Sequence, residues 1–191
     1  LGDLATGLQP VSVTNPDPVF CDSLEAVDLE IIAPPTVVEV DPASVCAGLP
    51  GDTAVTITGD SFAVVGPTPP SVEIGGVLFP NPIASGCTPL LGAIAGELCD
   101  TLDIVIPFGT FPMVGSYDLV VHNPAPLDCS SSVPLPFNVS DPPTIDSVEP
   151  PQICDIALTI IVNGFDFNQG TEILVDGVPI ATLFIDSNTL E

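Results

Sequence analysis

The feature that most restricts how this chain can fold is an internal repeat. Val13, Asn15, Pro16, Cys21, Pro34, Pro35, Thr36, Pro42 and Cys46 recur as Val121, Asn123, Pro124, Cys129, Pro142, Pro143, Thr144, Pro150 and Cys154, each pair 108 residues apart. Beyond that stretch the copies stay aligned after small deletions: Gly59 and Phe62 match Gly164 and Phe167 at an offset of 105, and Gly76 and Val77 match Gly177 and Val178 at 101. A fixed period identifies a repeat architecture more surely than local propensity does, because every copy has to fold as the same unit. The 191 residues then divide into the C-terminal part of one repeat (1–33), a complete repeat (34–141) and the N-terminal part of the next (142–191), and the chain reads as a window on a longer, already processed protein. Double prolines mark both junctions. Proline lacks an N–H and restricts its predecessor, so Pro34-Pro35 and Pro142-Pro143 are expected to be short, stiff, extended connectors.

Inside the complete repeat, apolar and polar residues alternate with period two between Gly, Pro and Asn, which is the pattern of half-buried strands. Strands are expected over 37–40, 53–59, 72–75, 102–106, 117–122 and 133–139. On them Val55, Ile57, Val72, Ile74, Leu102, Ile104, Ile106, Tyr117, Leu119, Val121, Leu135 and Phe137 should face the core. Thr56, Glu73, Asp103, Asp118 and Asn138 should face solvent. No stretch of ten or more residues carries a capped helical period. The expected class is all-β, and short strands at this spacing suit tandem immunoglobulin-like β-sandwich repeats of about 100 residues each.

Charge excludes several functions. The chain holds 25 Asp and Glu, one His and no Lys or Arg, a formal charge of −25. Nucleic acids and anionic membranes are bound by neutralising phosphates with Lys and Arg, so neither is an expected partner. The carboxylates repel one another and need salt, metal ions or a basic partner to offset them. No apolar run approaches the roughly 18 residues that span a bilayer, so no membrane insertion is expected within this segment.

The segment from Pro35 to Pro42, followed by Gly51, Thr53, Val55, Thr56, Ile57, Thr58, Gly59 and Phe62 and then by Val72 to Val77 with its Gly-Gly turn, resembles the opening of an IPT/TIG domain. Residues Pro143 to Pro150, Gly164, Phe167 and Asp176 to Val178 echo it. Gly115, Ser116 and Tyr117 to Val121, leading into Asn123-Pro124, resemble the closing part and are echoed by Val11 to Asn15. The resemblance covers nearly the whole chain in register with the repeat. It implies an immunoglobulin-like sandwich of the kind that bacterial surface proteins use as stalk or adhesive modules. The DNA-binding branch of that family relies on basic loops, which are lacking here. The cysteines and the insertion from Pro80 to Asp100 also depart from the minimal family pattern.

Six cysteines without a Cys-x-x-Cys or a zinc-spaced histidine favour an oxidising compartment and a disulfide framework, although six cysteines permit fifteen pairings. Cys87 and Cys99 share one Gly-rich insertion containing no other cysteine, which makes a structural bridge between them the economical pairing. Cys46 is expected in the loop after the first strand and Cys129 in the loop between the last two strands, at opposite ends of a sandwich. Two readings remain open for Cys21, Cys46, Cys129 and Cys154: disulfides between repeats or subunits, or an intradomain bridge made possible by a kink at Pro42.

No catalytic residue is expected. The lone His122 falls at a strand end with its side chain outward, and its counterpart 108 residues earlier is Thr14; nucleophilic catalysis needs a base beside a nucleophile. Asp166, Asn168 and Glu172 are oxygen ligands of a type that Ca²⁺ accepts, with diffuse counterion binding as the alternative. Asn138-Val139-Ser140 is a glycosylation sequon if the source is eukaryotic. The expected function is mechanical: an extracellular or cell-surface fibre, filament or stalk whose partners are copies of itself or adjacent repeats. The rival is an adhesin or receptor module that grips a carbohydrate or protein through the 80–100 insertion, whose Leu90, Leu91 and Ile94 read first as an apolar contact between subunits.

Overall fold

The computed structural model describes residues 4–19, 21–48, 51–92, 95–153 and 159–191. Cys154 and Ile94 lie outside them. The strands in residues 1–33 are β1 (Gly7–Val11) and β2 (Val27–Ile31). Residues 34–141 supply β3 (Thr36–Asp41), β4 (Ser44–Cys46), β5 (Thr53–Val65), β6 (Ser71–Ile74), β7 (Val77–Phe79), β8 (Ile83–Ser85), β9 (Thr88–Pro89), β10 (Gly96–Ile106), β11 (Gly115–His122) and β12 (Leu135–Ser140). Residues 142–191 supply β13 (Thr144–Glu149), β14 (Ile161–Phe165), β15 (Leu174–Val175), β16 (Val178–Pro179), β17 (Phe184–Asp186) and β18 (Thr189–Leu190). Among the described residues there is no helix, and the chain is all-β with several sheets.

Two sheets belong to residues 34–141, one in the order β3-β5-β10-β8 with β9 paired to β10, the other β4-β12-β11-β6-β7. On their strands Val55, Ile57, Val72, Ile74, Leu102, Ile104, Ile106, Leu119, Val121 and Phe137 are all buried. Tyr117 and Leu135, expected in the core, are only half-buried. Of the residues expected to face solvent, Asp118 and Asn138 are exposed, but Thr56, Glu73 and Asp103 are half-buried. The cause for one pair is cross-strand bonding: Asp103 stands opposite Thr56, whose Oγ1 donates to its carboxylate at 2.6 Å.

Two strands are longer than their alternation indicates. A glycine reads as a strand boundary, yet β5 continues through Gly59, bends at Ser61 with φ 61°, and resumes to Val65. Gly59 lies against the Thr36 carbonyl and the Phe62 ring, a close approach that only a residue without Cβ permits. β10 starts at Gly96, well before Leu102, because Gly96–Cys99 pairs with Phe62–Val65.

The register of β13 on β14 is that of β3 on β5. Val37↔Gly59 corresponds to Ile145↔Gly164, Val40↔Ile57 to Val148↔Val162, and each pair carries one irregularity at the same place, between Val37 and Glu39 and between Ile145 and Ser147. Gly164 lies against the Thr144 carbonyl and Phe167 as Gly59 does against Thr36 and Phe62, and Asp166, like Ser61, has φ 61°. The hairpins β6–β7 and β15–β16 both turn on two residues with positive φ, Gly75-Gly76 and Asp176-Gly177, the geometry of two-residue type I′ turns. Likewise the β11–β12 connection matches the β1–β2 connection: Asn123 N donates to Cys129 O and Ser131 N to Val121 O, as Asn15 N does to Cys21 O and Ser23 N to Val13 O.

By contact density the chain divides into two compact units, Leu1–Ser44 with Gly51–Pro107 and Ser116–Asn138, and Val45–Pro50 with Phe108–Gly115 and Val139–Glu191. The first contains the core just described together with β1–β2. In the second, Val162, Phe167 and Leu190 are buried and Ile160, Ile173 and Phe184 pack on them.

Candidate interaction and cross-linking sites

The insertion is built from the edge of a sheet. In residues 142–191, β18 pairs with β14 through Val162↔Leu190 and Asn163↔Thr189, and β17 reaches it across only Ser187 and Asn188. In residues 34–141 the same strand positions are Ile57↔Leu102 and Thr58↔Thr101, and Ser85 of β8 stands opposite Thr101. Residues 86–100 therefore occupy the place of a two-residue link. Of these, 86–92 and 95–100 form an arm rather than a free loop: Leu98↔Thr88 and Glu97↔Pro89 pair within it, Leu90 N donates to Gly96 O at 3.0 Å, and Gly66 N donates to Ala95 O at 3.0 Å.

A disulfide joins Cys87 to Cys99 across the base of this arm, with Cys99 buried. Glu97 brings a carboxylate oxygen near both sulfurs, and this is the only group of three His, Cys, Asp or Glu ligand atoms within metal-binding reach among the described residues. Both sulfurs are spent in the bridge, so the group offers no thiolate. At the tip, Leu91 N donates to Glu30 Oε1 at 3.0 Å and Gly92 N to Glu30 Oε2 at 2.5 Å. With no Lys or Arg in the chain, neutral N–H and O–H donors must satisfy nearly every carboxylate, and two consecutive backbone amides suit both oxygens of one.

The thiols of Cys21, Cys46 and Cys129 are free, Cys21 exposed and the other two half-buried. Cys46 ends β4, and its neighbour Ala47 donates to the carbonyl of Ser140, the last residue of β12; Cys129 lies in the connection before β12. Cys129 Sγ is 3.6 Å from Asn123 Nδ2. Asn123 is itself buried, and its side chain ties β11 to the bend in β5: Oδ1 accepts from Ala63 N and Nδ2 donates to Ser61 O, both at 2.9 Å. The Asn-Pro motif is thereby a structural lock, since a buried amide side chain must have its partners.

His122, expected outward and solvated, is partly buried and engaged on both nitrogens. Nδ1 is 2.7 Å from Ser130 Oγ and Nε2 is 3.2 Å from Glu73 Oε2. Serine, histidine and carboxylate in a row invite a catalytic reading, but strand register accounts for them. His122 is bridged to Ser130 and lies on β11 beside β6, which carries Glu73. The equivalent bridge in residues 1–33 is Thr14↔Asp22, where Thr14 Oγ1 donates to Asp22 Oδ1 at 2.5 Å. A polar cross-strand pair thus fills this position in both copies, with or without an imidazole.

Asp166 and Asn168 flank the buried Phe167, and Asn168 N donates locally to Thr171 Oγ1 at 2.9 Å. Glu172 lines a cavity of about 290 Å³ together with Ile145, Val162, Phe167, Ile173 and Leu190, which is apolar in character. Asp166 occupies the left-handed position that Ser61 holds in the other copy, a backbone role independent of any ion. Asn138 of the sequon is exposed on β12.

Glu30 and Gly92 escaped the sequence reading, and Leu91 was expected only as an apolar side chain, not for its backbone amide. The available signal was a break in the repeat: position 138, the counterpart of Glu30, is Asn. No helix of the described residues is long and apolar enough to cross a membrane. No family model and no curated protein matches this chain.

Proposed function

We propose that the chain is a non-enzymatic, structural extracellular protein whose segments 1–33, 34–141 and 142–191 belong to tandem immunoglobulin-like β-sandwich repeats of the IPT/TIG kind, strung into a surface stalk or filament. What supports this reading above all is the shared register. Strand pairs, their irregularities, the close-approach glycines and the two-residue turns coincide at the offsets by which the sequence repeats. Independent units joined end to end give a rod whose stability is roughly a sum of unit and junction contributions. A surface with abundant carboxylates and no basic side chain keeps such rods apart and leaves polyanions unbound. Disulfides involving Cys21, Cys46, Cys129 or Cys154, between repeats or subunits, would reinforce it.

Negative-stain electron microscopy of the native full-length protein tests the function. Extended filaments or rods with beads at the spacing of one repeat support it, and compact particles refute it. Peptic mapping under non-reducing conditions tests the cross-links: a Cys46–Cys129 peptide from a single repeat removes them. The adhesin alternative draws on the apolar side chains that the arm leaves in water, Leu91 being 76 % exposed. Binding of the protein to a glycan array, abolished by L91D, would favour that alternative.

A further inference from the structure

We propose that the arm, residues 86–92 and 95–100, is a clamp between repeats: the Leu91 and Gly92 amides are a carboxylate-binding site whose ligand is Glu30 of the preceding repeat, and the Cys87–Cys99 bridge holds the arm in reach. This rests on the repeat reading given above. Three observations carry it.

First, the contact is two-pronged, with one amide on each carboxylate oxygen, at 3.0 and 2.5 Å. Charge-assisted bonds of this kind are about twice as strong as neutral ones. Second, the site is shaped for its ligand. A Cβ on residue 92 would stand 2.7 Å from Glu30 Oε2 and 3.0 Å from Glu30 Cβ, so a side chain there would push the carboxylate off the two amides. Third, both halves of the clamp are lost together at the next junction. Where Glu30 stands, residues 34–141 carry Asn138, and where the arm stands, residues 142–191 carry only the Ser187-Asn188 link between β17 and β18. A chance surface contact would not pair the presence of the acid with the presence of the arm, and the absence of one with the absence of the other. The bridge ties Cys87, just before β9, to Cys99 of β10, and so holds the two sides of the arm together at its base. The clamp fixes the orientation of β1–β2 relative to the core at the Pro34-Pro35 junction.

Amide exchange and residual dipolar couplings measured by NMR on the whole chain test it. In the wild type, one alignment tensor should fit β1–β2 and β11–β12 together. In E30A, Leu91 and Gly92 should exchange about tenfold faster, two tensors should be needed, and the Leu119 and Val121 amides should keep their protection. E30Q, which keeps one acceptor oxygen but no charge, should lie between. G92A should reproduce the E30A effect at Leu91. Reduction by dithiothreitol, which passes two electrons and two protons to the Cys87–Cys99 bridge and itself closes to a disulfide, should do the same without any substitution. Unchanged exchange at Leu91 and Gly92 in E30A overturns the clamp. So does loss of Leu119 and Val121 protection in E30A and E30Q, because Glu30 would then support the fold rather than the junction. Rapid tip exchange only after reduction, with E30A silent, also overturns it. Compact particles in the microscope would refute the filament reading while leaving these rates untouched, so the two failures are distinguishable.

Discussion

Gly59→Ala and Gly164→Ala make the same steric insult in two copies, and only one of them should be visible to a probe in the middle of the chain. At either site the new methyl falls on the carbonyl oxygen of the facing strand, Thr36 or Thr144, and within 2.6 Å of a ring atom of Phe62 or Phe167. Neither obstacle can step aside cheaply. The carbonyl belongs to a strand held by its own ladder, and both phenylalanines are buried. Overpacking a core costs about 1–3 kcal/mol. The involvement of a backbone atom puts the expected loss at the upper end, about 3 kcal/mol, against total stabilities of about 5–15 kcal/mol for a domain. With an urea slope of about 1.5 kcal/mol/M, that is a midpoint shift of about 2 M. The chain has one tyrosine and no tryptophan; Tyr117 lies in the first compact unit beside Gly75, whereas Gly164 lies in the second. Urea titration followed by tyrosine fluorescence should therefore show G59A unfolding about 2 M earlier and G164A unchanged, while far-UV circular dichroism registers both. A tyrosine transition unmoved by G59A, or moved equally by G164A, refutes the reasoning.

Other outcomes follow from the same packing. Replacing both Cys87 and Cys99 by Ser should cost about 3 kcal/mol through the freed loop, read as an earlier tyrosine transition in urea; no shift would mean that the reduced arm is equally constrained. Phe137→Ala should cost about 3–5 kcal/mol, because that ring is fully buried, whereas its counterpart Leu29 is 51 % exposed and Leu29→Ala should cost about 1 kcal/mol or less; equal losses by chemical denaturation would contradict the difference in burial. Raising sodium chloride from about 10 to about 150 mM shortens the screening length from about 30 to about 8 Å. With a net charge of −25 this should raise Tm by a few degrees by calorimetry, and a fall would show that repulsion between carboxylates is not a destabilising influence here.

The sequence by itself determined the class, the period and most of the core. Alternation of Val, Ile and Leu with polar residues forces strands, because only a period of two puts Val55 and Ile57, or Leu119 and Val121, on one face. The period of 108 residues required that whatever Pro35 begins, Pro143 begins again, and the matching registers of β3–β5 and β13–β14 follow. Local rules failed where distant backbone intervenes. Gly59 reads as an ending and is the middle of a strand, since what it accommodates is Thr36, and residues 80–100 read as a loop because nothing in their own pattern announces the Phe62–Val65 edge on which they pair. His122 looked solvated until β6 supplied Glu73 and the following connection supplied Ser130. The Glu30 contact is the extreme instance, with 61 and 62 residues separating the acid from its two donors. Backbone amides carry no sequence signature, so a site made from them emerges only when the chain has been folded and two remote segments are brought within hydrogen-bonding distance.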